Sequence, residues 1–163
     1  MQRIAFGGGC HWCTEAIFQQ HIGVNNVEQG WVSATHPEAT TPSEAVIVHF
    51  DPTYISLDTL TEIHLFTHNA TSNHSFRQKY RSAVYTFSDA QHQEAQTILR
   101  EKQELFEKAL VTHVYPFGEF RLNDEKYLNY YKSNPDKPFC KVRIAPKLRV
   151  LLERYGDLIQ KSK

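Results

Sequence analysis

Hydrophobic and polar positions change their period several times along this 163-residue chain, and the changes mark out its elements. Glu44 to Phe50 is the clearest strand: Val46, Val48 and Phe50 alternate with Ala45, Ile47 and His49. Both sets are largely apolar, which places this strand centrally in its sheet, and Asp51-Pro52 supplies the turn after it. Arg3 to Phe6 is predicted as a strand that enters Gly7-Gly8-Gly9. A helix follows over His11 to Gln20, with Trp12, Ala16 and Ile17 on one face and Gly23 as a left-handed cap. Val24 to Val32 is expected to be extended, buried at Val24, Val27 and Trp31, and Thr35 to Pro42 to be a loop. Ser56 to Phe66 has a mostly helical period, and His68 to Tyr80 is polar, aromatic and irregular, as functional loops are.

Beyond this loop the pattern becomes regular again. Ser82 to Phe87 reads as a strand with Ala83, Tyr85 and Phe87 on one side. Ser88 and Gln91 form a capping box that opens a charged helix running to Phe106. Leu110 to Tyr115 is predicted as a strand and Asp124 to Lys132 as a short helix. A last amphipathic helix after Pro146 uses Leu148, Leu151, Leu152 and Leu158. Strands and helices alternate irregularly without repeats, which predicts an α+β sandwich with helices on one or both faces of a mixed sheet.

Composition narrows the function classes. At 40% hydrophobic and 22% charged residues, the chain suits one domain with a substantial core. Lys plus Arg equals Asp plus Glu at 18 each, which favours neither nucleic acid nor an anionic membrane as partner. No apolar stretch approaches the roughly 20 residues of a membrane span. Met1-Gln2-Arg3 runs directly into a strand, leaving no room for a targeting segment, so with three cysteines a reducing cytoplasm is expected. Gly7-Gly8-Gly9 lacks the spacing of a phosphate-binding loop.

The candidate chemistry gathers around Cys10. A strand that turns through glycine into a helix sets its first residues among unpaired N–H groups, which favour a thiolate. The alternative is a small buried residue beside a tight turn. Cys13, three residues on, completes a Cys-x-x-Cys spacing suited to thiol redox chemistry, or is a small core residue of the helix. Trp12 is either the wall of an apolar substrate pocket or core packing. Glu44 opens the central strand, as a proton donor or as a solvated strand-end carboxylate. Tyr80, just before the next strand, either bonds an oxygen or packs. Cys140 with a histidine gives no recognisable zinc spacing, so no metal and no cofactor are expected.

With these residues in view, the chain resembles the A-type peptide methionine sulfoxide reductases. Gly9-Cys10-His11-Trp12, with Glu15 after it, looks like the family's glycine-cysteine-phenylalanine-tryptophan motif. Ser43-Glu44-Ala45-Val46 and Phe50-Asp51-Pro52 are similar to its acidic strand and turn, and Tyr80-Arg81-Ser82-Ala83-Val84-Tyr85 is the closest match of all. Tyr130-Tyr131, Asn134-Pro135, Pro138-Phe139-Cys140 and Ile144-Ala145-Pro146-Lys147-Leu148 resemble its C-terminal pattern.

The resemblance implies that Cys10 attacks the sulfoxide sulfur, that Glu44 serves the sulfoxide oxygen and Tyr80 helps hold it, and that Trp12 walls the methyl pocket. It implies a resolving thiol at Cys140, with Cys13 a further local candidate, and recycling by thioredoxin. Taken with the pattern, it predicts a single domain over residues 1–163, monomeric and cytoplasmic. The fold expected is a ferredoxin-like two-layer sandwich of mixed sheet and packed helices with a C-terminal extension. The substrate implied is methionine S-sulfoxide, free or in proteins. Departures from the pattern mark a divergent member. His11 stands for phenylalanine, Trp31 for an oxygen-binding tyrosine, Ser75 for an aspartate, Thr41-Pro42 for glycine-histidine, and Tyr127 near the place of a histidine. Two rivals remain: a thiol-disulfide oxidoreductase using Cys10 and Cys13, and a non-catalytic module that binds thioether or sulfoxide side chains through Trp12 and Trp31.

Overall fold

The computed structural model describes residues 1–9, 11–68, 70–71, 80–129 and the single positions 137, 146, 149 and 153, with the backbone alone for His11. Five strands, β1 (Gln2–Gly7), β2 (Val24–Ala34), β3 (Ser43–Phe50), β4 (Ala83–Thr86) and β5 (His113–Leu122), are joined by α1 (His11–Gln19), α2 (Leu57–Thr67) and α3 (Asp89–Lys102). β3 lies between β1 and β2, both antiparallel to it, as its two apolar faces predict. β2 continues to β5 antiparallel, β5 runs parallel to β4, and β4 returns to β1. The α+β class and the mixed sheet are as expected, but the described strands do not arrange as the ferredoxin-like two-layer sandwich that was expected. The strands close into a ring in the order β1-β3-β2-β5-β4.

Alternation along each strand sorts the core into two clusters. Ile4, Phe6, Val24, Val27, Val46, Val48, Phe50 and Val84 point outward, where Ile17 and Phe18 of α1, Leu60 and Ile63 of α2, and Ala95 and Ile98 of α3 cover them. Ala5, Val32, Ala45, Ile47, Ala83, Tyr85 and Tyr115 fill the interior, and small residues on three of the strands let so narrow a ring close. Gly30 is required there: a methyl group on it would lie 2.0 Å from the carbonyl oxygen of Arg121.

Local chemistry fixes the helix starts. The Ser56 hydroxyl accepts from the Thr59 N–H at 3.1 Å and caps α2. The Ser88 hydroxyl accepts from the Gln91 N–H at 3.2 Å, and the Gln91 side chain accepts in return from the Phe87 N–H at 2.9 Å, one residue further back than a capping box predicts. α3 ends at Lys102 and passes into a short 3-10 turn at Gln103–Leu105, so the helix is shorter than its charge pattern suggests. Where a helix was expected over Asp124 to Lys132, the described part is one 3-10 turn, Glu125–Tyr127. The strand expected at Leu110 to Tyr115 starts later and runs to Leu122, straight through Pro116 and Gly118. Where Ser33 and Ala34 of β2 pair with Glu119 and Phe117, Gly118 is the extra residue on β5, and a side chain on it would meet the Ser33 oxygen at 2.8 Å. The predicted helix after Pro146 falls, apart from the helical positions 146, 149 and 153, outside the described residues.

Candidate active site

The glycine turn after β1 meets two other segments at close range. A methyl group on Gly7 would lie 2.9 Å from the Arg81 carbonyl oxygen and 3.2 Å from that of Glu44. Gly7 pairs with Ala45 of β3 and Ala83 of β4. Absence of a side chain therefore lets the start of β3 and the approach to β4 close around the strand end that leads to Cys10. The structure thus gathers the Glu44 and Tyr80-Arg81 backbones at the turn, from positions far apart in sequence.

Period-two alternation decides which way the side chains go. Glu44 shares the outward face of β3 with Val46 and Val48, on the side covered by helices, and is 4% exposed. Trp31 lies opposite it on β2. Expected to be buried, Trp31 is half-buried, and the Arg121 guanidinium covers its ring at 4.4 Å from the centroid. An indole face under a cation gains about 0.5–1 kcal/mol at such sites. Tyr80 is half-buried just before β4. Glu15, in the middle of α1, is 2% exposed.

Trp12, at the start of α1, stacks on Tyr127 with ring centroids 5.4 Å apart. Tyr127 is held in place from β2: Gln29, fully buried, donates to the Tyr127 carbonyl at 3.0 Å and accepts from the Asn123 side chain at 2.6 Å. Gln19 of α1 adds a bond to Asn129 at 2.7 Å. Position 127, noted in the sequence as a departure, thus forms an aromatic wall with Trp12. Gln29 is a functional neighbour that sequence reasoning missed, although a glutamine alternating with Val27 on an apolar face was a readable signal. Cys13 is 3% exposed inside α1. Cys10, Cys140, Ser75 and the side chain of His11 lie outside the described residues. Among the described residues, no group of three or more His, Cys, Asp or Glu side chains is placed to hold a metal ion. No helix among them is long and apolar enough to cross a membrane.

A strand ending in glycine, a buried carboxyl beside it and an aromatic wall fit the chemistry that the resemblance implies. The sequence matches the peptide methionine sulfoxide reductase family over residues 2–157. This chain belongs to that family. Peptide methionine sulfoxide reductase MsrA of Deinococcus radiodurans is 33% identical to it, covering 98% of this chain and 84% of the relative. That of Acinetobacter baumannii is 32% identical, over 98% and 99%. Methionine sulfoxide reductase A of Corynebacterium diphtheriae superposes with a TM-score of 0.71 at 25% identity, covering 82% of this chain and 75% of that one. Reduced Mxr1 from Saccharomyces cerevisiae, at 24% identity, shares the fold with a TM-score of 0.75 over 85% and 88%. The protein is therefore an oxidoreductase of the A type that reduces methionine sulfoxide.

Proposed function

We propose that Cys10 is the nucleophile of this reductase, acting on the S epimer of methionine sulfoxide, free or in proteins. The observation that carries the reading is Glu44, a carboxyl 4% exposed, whose backbone abuts the glycine turn three residues before Cys10. The Cys10 thiolate attacks sulfur, and Glu44 delivers a proton to the sulfoxide oxygen while Tyr80 holds it. The S–O bond breaks as the oxygen passes to Cys10, leaving methionine and a sulfenic acid. Trp12, backed by Tyr127, walls the pocket for the methyl group. A second thiol then attacks the Cys10 sulfur, water leaves, and a disulfide forms. A thioredoxin dithiol returns it to two thiols by exchange. This last step is supported by a solved complex of Mxr1 with Trx2, whose Mxr1 chain shares the fold with a TM-score of 0.62.

Cys140 is the favoured resolving thiol. Cys13 is at a disadvantage because it is 3% exposed within α1, so a disulfide there would have to open the helix before a reductant reached it. That burial also weighs against a general thiol-disulfide oxidoreductase. Against a passive thioether-binding module stands Arg121, which already covers the Trp31 ring. We further infer that the enzyme is a cytoplasmic monomer. The test is incubation with dithiothreitol and each sulfoxide epimer, with methionine quantified. Turnover of the S epimer, lost in Cys10→Ser, is expected; no turnover of either would sink the proposal. Insulin reduction that needs both Cys10 and Cys13 would favour the first rival. After one equivalent of substrate, peptide mass spectrometry is expected to find a Cys10–Cys140 linkage.

A further inference from the structure

Beneath the glycine turn lie two histidines that the reaction above does not use, His64 in α2 and His68 at its C-cap. His64 is 2% exposed, and its ring stacks on that of His68 at 4.2 Å between centroids. Nε2 of His64 is 2.6 Å from the Gly7 carbonyl oxygen. A carbonyl only accepts, so that nitrogen carries the proton. Nδ1 of His68 likewise donates to the His64 carbonyl oxygen. Nε2 of His68 is hydrogen-bonded to the Ser82 hydroxyl at 2.7 Å, and that hydroxyl to the one of Thr112, also at 2.7 Å.

The second contact is steric. The His68 ring occupies the space that a side chain on Gly8 would fill: a methyl group there would lie 2.5 Å from its Cδ2, and Gly8 has a φ of +145° that suits glycine. The turn is thus bonded at Gly7 by one imidazole and pressed at Gly8 by the face of the other. Through Ser82 the same network is tied to the segment two residues after Tyr80. Consecutive glycines are the loosest backbone available, whereas a reacting group must be held within about 0.5 Å.

We propose that the His64–His68 pair is a positioning device of the reductase. It fixes the Gly7–Gly8 turn, the backbone that leads to Cys10, against the segments that carry Glu44 and Tyr80. The inference rests on Cys10 being the nucleophile. It is tested by steady-state kinetics on free methionine S-sulfoxide with dithiothreitol, using His64→Phe, His64→Gln, Ser82→Ala and Cys10→Ser. His64→Phe keeps an aromatic ring over Phe6 and His68 but removes the N–H donor. It is expected to lower kcat roughly tenfold with KM little changed, since a misplacement of about 1 Å can cost up to about a hundredfold. His64→Gln puts an amide N–H back near the position of Nε2 and is expected to recover most of that loss, which a purely packing role for the ring would not allow. Wild-type kcat in His64→Phe, or His64→Gln no better than His64→Phe, overturns the proposal. Should His64→Phe not fold, Ser82→Ala decides: a lower kcat at unchanged KM supports the device and a wild-type kcat overturns it. Cys10→Ser separates the layers, because activity retained there overturns the nucleophile assignment itself and the device with it.

Discussion

The helix-covered face of the ring and its interior handle polar groups in opposite ways. On the covered face, one group of buried polar side chains gathers around the glycine turn: Glu44, Ser82 and the two histidines. The interior is lined by alanines, Val32, Ile47 and two tyrosines, and Arg81, 9% exposed, brings a charge to it. Its guanidinium donates to the Tyr85 hydroxyl at 3.0 Å and to the Thr41 carbonyl at 2.6 Å, both neutral oxygens. Burial pushes the Tyr85 phenol upward, with Arg81 partly opposing the shift, so the hydroxyl stays protonated beside its cation. The lesson is that the interior's polar atoms are spent on each other, whereas this group on the covered face converges on the turn that leads to Cys10. Damage to the first should cost stability and damage to the second should cost rate.

The largest separation is expected at Glu44. Replacing it with glutamine keeps size and hydrogen bonding but removes the proton that the proposed mechanism assigns to it, and kcat should fall by roughly a hundredfold or more. Thermal unfolding should be almost unchanged; a large fall in Tm with kcat intact would erase the distinction between the two regions. Next is His21, fully buried at the end of α1, whose burial holds its imidazole down to about 4 against backbone hydrogen bonds that favour the charged form. The unfolded chain takes up a proton near pH 6.5 and the folded one does not, so this residue's contribution is intact above pH 6.5 and is lost as pH falls toward 4. Over that window the loss amounts to about 3 kcal/mol. Urea unfolding of wild type and His21→Leu between pH 7 and pH 4 should show the variant with the shallower decline.

A third contrast lies inside the ring. Tyr85→Phe removes one oxygen from the buried guanidinium and should cost about 1–3 kcal/mol in stability. Its kcat on the folded fraction should stay near wild type, and a tenfold fall would show that the interior does reach the reacting atoms. Smallest is Ser88→Ala at the cap of α3, far from the turn, where about 1 kcal/mol of stability and no activity should be lost. Chemical denaturation and the epimer assay on the same preparations measure both.

The sequence was most legible where a signal is local. β3 reads directly from alternation, the cap at Ser88 from its hydroxyl, and the glycine turn between β1 and α1 from strand, glycines and helix in succession. β5 was misread because Pro116 and Gly118 look like breakers, and only the irregular pairing with β2 makes room for them. Closure was invisible for a related reason: it depends on the parallel contact between β4 and β5, which no pattern within either strand encodes. At the site, Cys10, Glu44, Tyr80 and Trp12 carry recognisable motif positions. His64 and His68 do not, although their four-residue spacing at the end of a helix could have drawn notice. Trp31 was taken as buried because its period put it on the apolar face, and the half-buried ring under Arg121 follows from a strand whose extent had been missed.

Closure has a consequence for assembly. Among the described residues each of the five strands has a neighbour on both sides, so this sheet offers no free edge along which another chain could add a strand. Aggregation by strand addition is thereby blunted. The same feature limits how a reductant can approach. It must dock side chain to side chain on turns and helices around the glycine end, without the backbone ladder that strand-adding partners use.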